Sequence, residues 1–106
     1  MADFQAATGL TDQWGAPQGL LGYAAFARSQ GVPLAVPEWS GVADQGDSPA
    51  FIQGMHDWFA ANAGSGPGQL LYEILFDIDN GAYGGNFILS TTSRLTTSAD
   101  AYRRLF

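Results

Sequence analysis

Apolar residues along this chain recur in a regular order that changes from one stretch to the next. Leu20, Leu21, Ala24 and Ala27, with Tyr23 and Phe26, follow helical spacing, and Gly31 supplies a residue free to take the positive φ that ends a helix. Pro33 then opens a short apolar run, Leu34-Ala35-Val36-Pro37-Glu38-Trp39, which cannot continue a helix and suits a strand buried on both faces. Proline offers no amide hydrogen to a ladder. Pairing is therefore expected to stop at Pro37, leaving Glu38 and Trp39 on the rim at the strand's C-terminal end.

Ser48-Pro49 reads as an N-cap followed by proline at the first helical position, and Phe51, Ile52, Met55, Trp58 and Phe59 form one stripe of a helix running to about Ala63. The tract Gly64-Ser65-Gly66-Pro67-Gly68 ends it. Leu70 to Ile78 is too short and too uniformly apolar for a surface helix, so it reads as a second buried strand. Residues 79 to 98 form a long glycine-bearing loop with a short strand expected at Phe87-Ile88-Leu89, and Ser98 is expected to cap a last helix carrying Ala99, Tyr102, Leu105 and Phe106. Residues 1 to 18 have no sustained period and read as a loop segment, whose Phe4, Leu10 and Trp14 are free to pack on a neighbour.

The order is α-β-α-β-α over residues 19 to 106, with strands near 33–38 and 70–78. A helix between two strands makes a βαβ unit, which implies parallel strands and a right-handed crossover. The predicted class is α/β.

Composition narrows the function more than the fold. The 106 residues carry ten acidic side chains against four arginines and no lysine, a net charge of −6, so no stripe of cations exists for nucleic acid or an anionic membrane. A hydrophobic content of 46% argues against disorder. With no cysteine and one histidine there is neither a disulfide framework nor a metal cluster of zinc spacing, and no cofactor-binding motif is present. The N-terminal residues lack the charged and apolar regions of a signal peptide, and no apolar run reaches bilayer length. A start at Met1 without an opening helix or strand pattern fits a truncated reading frame.

Glu38 is the leading chemical candidate, because parallel-barrel enzymes place catalytic groups at the C-terminal ends of their strands. Trp39 beside it offers a flat apolar face of the kind that packs on the C–H face of a sugar, and Trp14 is a second such candidate. Asp77, Asp79 and Asn80 form an oxygen-rich patch after the second strand, suited to sugar hydroxyls or to plain turn chemistry. Gly81 comes one place too early for an EF-hand loop, so calcium is not expected. Glu73 lies within a strand and reads as a buried ion pair or hydrogen bond, and His56, beside Asp57 in a helix, as structural.

The stretch Gly31-Val32-Pro33-Leu34-Ala35-Val36-Pro37-Glu38-Trp39 resembles the "G-x-P-L-x-V-P-E-W" segment of barrel strand seven in bacterial relatives of glycoside hydrolase family 26, the β-mannanase family. Phe26-Ala27-Arg28, Asp47-Ser48-Pro49-Ala50-Phe51-Ile52, His56-Asp57-Trp58 and Tyr72-Glu73-Ile74-Leu75-Phe76-Asp77 are similar to the same proteins in the same order. The resemblance implies a partial (β/α)8 barrel, helix six to helix eight, from a retaining glycosidase acting on mannan or glucan, with Glu38 as nucleophile. It also implies an exported parent enzyme, although this N-terminus carries no export signal, so localisation stays open.

The family's acid/base residue belongs to strand four, outside this chain, and retaining glycosidases need two carboxyl groups about 5–5.5 Å apart. The chain alone is therefore expected to be inactive, and its open edges to pair with the missing strands or with a second copy. Two other readings stand beside this one: a non-catalytic carbohydrate-binding remnant using Trp39, and an unrelated small α/β scaffold.

Overall fold

The computed structural model describes residues 4–79 and 81–106. Its helices are α1 (Phe4–Thr8), α2 (Gly19–Ser29), α3 (Pro49–Asn62) and α4 (Thr96–Leu105), and its strands β1 (Leu34–Trp39) and β2 (Leu70–Leu75). A single 3-10 turn, Ala43–Gln45, follows β1.

Helix α2 ends as its sequence requires. Gly31 takes φ 72°, its N–H donates to the Arg28 carbonyl, and the Val32 N–H reaches back to Ala27, a Schellman closure that turns the chain into β1. At α3 the Ser48 hydroxyl accepts from the Phe51 N–H, and Pro49 occupies the first helical position. The face so presented carries Phe51, Ile52, Met55 and Phe59, all buried, while Trp58 is half-buried at its edge.

The strands β1 and β2 are parallel and form a two-stranded sheet, so the protein is a small mixed α/β domain. Leu34 pairs with Leu70, Val36 with Glu73 and Trp39 with Leu75. Between the first two pairs β2 has one extra residue, and between the last two β1 does. Pairing therefore does not stop at Pro37. The proline falls in the stretch where β1 bulges, its missing N–H is tolerated there, and the ladder resumes at Trp39, whose carbonyl accepts from Phe76 N–H.

Three further expectations are corrected. Strand β2 ends at Leu75 rather than near residue 78, because the Asp77 side chain turns to accept the amides of Leu89 and Ser90, which ties the chain to a loop instead of to β1. No strand forms at Phe87-Ile88-Leu89; Ile88 and Leu89 are buried in irregular structure. Within the segment read as loop, residues 4 to 8 make one turn of helix, and Phe4 packs on α3 at Gly54, where a Cβ would collide with the Phe4 Cβ and ring.

Helix α4 begins two residues before Ser98, and Ser98 is buried inside its first turn. Its amides are capped from a distance: the Asp47 carboxylate accepts the N–H groups of Thr97 and Ser98 and the Ser98 hydroxyl. Trp39 meets Phe51 and Phe59 edge-on and Tyr102 and Phe106 tilted, and the last two stack on each other, closing the core between the sheet, α3 and α4.

The other side of the sheet is open. Tyr72 and Ile74 are half exposed, as is Leu71 at the β2 bulge. The total accessible surface, 5998 Å² for 11.2 kDa, nonetheless lies close to the about 5,700 Å² typical of a folded monomer of that mass. The exposure of the sheet is thus local rather than a failure to pack.

Candidate active site at the strand ends

Two loops follow the C-terminal ends of β1 and β2, and side chains lace them together. The Asn86 carbonyl accepts from Ala43 N–H, its side-chain oxygen from Asp44 N–H, and Arg94 bridges the Asp44 carboxylate at 2.7 Å and the Gly84 carbonyl at 3.0 Å. Asn86 is thereby spent on loop structure. The rim is held by polar bonds reaching across about half of the chain.

Glu38 stands on this rim, in the bulged part of β1. Its side chain is exposed, and among the described residues no group donates a hydrogen bond to its carboxylate. It borders two concavities. One, of 430 Å³, lies between β1 and the first turn of α2, with Leu20, Tyr23 and Met55 in its wall. The other, of 270 Å³, is bounded by Ser40, Phe76 and Phe87. Phe76, Phe87 and Tyr83 pack edge to face with ring centres 5.3–6.0 Å apart, so the second hollow has an aromatic wall fixed by its own neighbours.

Trp39 borders both hollows but only by a small part of its ring: it is 7% exposed, and the ring contacts Phe51 and Phe59 of α3, Tyr102 of α4 and Phe106. Alternation along the strand sends the two neighbours to opposite faces, Glu38 to the surface and Trp39 into the core. Its indole N–H donates to the Glu73 carboxylate. Glu73 therefore has the hydrogen bond expected of its mid-strand position, with the Trp39 indole as partner. It belongs to the core side of the sheet and not to the hollow beside Glu38.

Asp77 accepts from the Leu89 and Ser90 amides and borders a separate hollow of 250 Å³ with Leu75, Tyr102 and Arg103. Burial pushes its carboxyl up, but the amides of Leu89 and Ser90 outweigh that and hold it below the ordinary value. Nearby, burial and then the Glu73 and Asp77 carboxylates push the Tyr102 phenol above its usual range. Asp77 is thus occupied as a loop staple, Asp79 is exposed beyond it, and Asn80 lies outside the described residues.

Trp14 is 82% exposed at the tip of a tight turn and lines neither hollow beside Glu38. His56 meets Asp57 at 3.0 Å and Phe106 edge-on, which fits its structural reading. Sequence reasoning did not find Ser40, Tyr23 or Phe76. Phe76 offered one signal, as the first residue past the β2 ladder, where a side chain is carried to the rim. Among the described residues no group of three or more histidine, cysteine or acidic side chains is arranged to hold a metal ion.

No protein-family model matches the chain, and no match is found among curated proteins or among solved structures.

Proposed function

We propose that the chain is the C-terminal part of a retaining glycoside hydrolase that acts on a β-linked polysaccharide, mannan or glucan, with Glu38 as its nucleophile. The observation that carries this reading is the situation of Glu38: a carboxylate to which no described residue donates, at the C-terminal end of a parallel strand, between an aromatic-walled hollow and a larger cleft along β1. A nucleophile must keep a lone pair free, and among the described residues no amide or cation draws on that of Glu38.

In such a mechanism the Glu38 carboxylate attacks the anomeric carbon, a second carboxylic acid protonates the departing oxygen, and the same group later activates the water that frees the sugar. Glu73 is not placed for the second role, because its carboxylate is engaged with the Trp39 indole. The acid/base is assigned to strands beyond this chain. A barrel of this kind takes about 250 residues, so two strands supply a quarter of it, and the open edges of β1 and β2 with half-exposed Leu71, Tyr72 and Ile74 support completion by further strands. The binding-remnant alternative rests on Trp39, which borders both hollows but is only 7% exposed.

A substrate with an activated leaving group needs no acid. Incubation with dinitrophenyl 2-deoxy-2-fluoro β-mannoside or β-glucoside is expected to add one glycosyl mass to Glu38, an adduct missing from Glu38→Gln, while untreated mannan and glucan release no reducing sugar. Absence of the adduct together with absence of any glycan affinity would overturn the reading.

A further inference from the structure

We propose that Arg94 is a positioning residue for sugar binding at Glu38: paired with Asp44, it holds the loop segment that presents Phe87 to the hollow beside the nucleophile, where Phe87 packs on one neutral pyranose ring. This rests on the glycosidase reading above. The 270 Å³ hollow is framed by residues of both strand ends, Glu38 and Ser40 after β1 and Phe76 after β2, with Phe87 brought in from the loop. Drug-sized ligands take pockets of about 300–1,000 Å³, so this one suits a single ring. Its wall holds no cation, which favours a neutral sugar over an acidic one, and Ser40 carries a hydroxyl suited to those of the sugar.

Phe87 belongs to neither a helix nor a strand. It follows a turn made by two successive glycines at positive φ, Gly84 at 59° and Gly85 at 71°. Downstream, buried Ile88 and Leu89 anchor the chain, and Asp77 accepts the Leu89 and Ser90 amides. The upstream anchor comes from the other loop: Arg94 donates to the Asp44 carboxylate and to the Gly84 carbonyl, while Asn86 accepts from the Ala43 and Asp44 amides. The tied residues 84 and 86 lie between Tyr83 and Phe87, whose rings meet edge to face at 5.3 Å. Both anchors are needed to set the Phe87 ring beside Glu38.

The pair is poorly placed to stabilise the fold. The Arg94 and Asp44 side chains are 40% and 66% exposed, and ion pairs so open to solvent contribute little to stability. Its consequence is geometric: it fixes where an aromatic face stands, and that is read in binding rather than in unfolding. Loss of a contact made equally to bound sugar and to transition state weakens binding and leaves the chemical rate alone.

Labelling of Glu38 by the dinitrophenyl 2-deoxy-2-fluoro glycosides, followed by mass against reagent concentration, gives a half-saturating concentration and a limiting rate for each variant. Phe87→Ala is expected to raise the half-saturating concentration about tenfold, the value of one good aromatic contact, with the limiting rate unchanged. Arg94→Ala is expected to do the same with the urea midpoint of wild type, and to add nothing in the Phe87→Ala background, because both changes remove one contact. Asp44→Asn, which keeps the shape and removes the charge, is expected to give a smaller rise. A half-saturating concentration unchanged in both Arg94→Ala and Asp44→Asn, or effects of Arg94→Ala and Phe87→Ala that add, overturns the inference and leaves the Glu38 reading standing. Wild type that takes no label overturns both.

Discussion

The indole N–H of Trp39 on β1 donates to the carboxylate of Glu73 on β2, joining the two parallel strands through their side chains on the core side of the sheet. Glu73→Ala leaves that N–H without an acceptor while the ring stays enclosed by α3 and α4. The expected loss is about 1–3 kcal/mol, whereas exposed Glu38→Ala is expected to stay within about 0.5 kcal/mol of wild type. Urea unfolding of the two variants side by side makes the comparison, and equal midpoints would refute it.

A second test concerns the remote cap of α4. Asp47→Ala removes the acceptor of three donors and is expected to cost about 1 kcal/mol at neutral pH. Burial pushes the Asp47 carboxyl up, but bonds from Ser98 and Thr97 outweigh that and hold it below the ordinary 3.8. Because the folded-state value is depressed, this stabilisation is complete above about 3.8 and fades as pH falls through the lower folded value. Wild type and Asp47→Ala should therefore differ in urea midpoint at neutral pH and converge in strong acid.

Gly54 tests the docking of the N-terminal turn. Alanine there improves the helix propensity of α3 by up to about 1 kcal/mol, but its Cβ meets the Phe4 ring, and overpacking costs about 1–3 kcal/mol. The clash is expected to win at the contact by detaching α1, read as faster amide exchange at residues 7 to 9 with α3 unchanged. Adding Phe4→Gly removes the clash, Cβ included, so introducing Gly54→Ala into that background should raise stability rather than lower it.

The fold was legible wherever local chemistry and burial agreed. Gly31, Ser48-Pro49 and the Phe51–Phe59 stripe place α2, β1 and α3 because each element is capped by its own neighbours in sequence. It was illegible where a distant group decided. Ser98 reads as a cap only if Asp47, 51 residues away, is ignored, and β2 reads too long until Asp77 is seen to bind the amides of Leu89 and Ser90. At the site, Glu38 was visible from its place after a buried run. The enclosure of Trp39 was not, because alternation says that Glu38 and Trp39 face opposite ways but not which face α3 and α4 cover.

The bonds that fix the rim around Glu38 also set an order of events during synthesis. Asp44 waits for Arg94 and Asp47 for Ser98, partners 50 and 51 residues later in the chain. Such contacts close large loops and form only after the later segment exists. A nascent chain that has emerged only through β2 would lack the enclosure of Trp39 by α4, and the loops beyond the two strands would remain unset until α4 had left the ribosome.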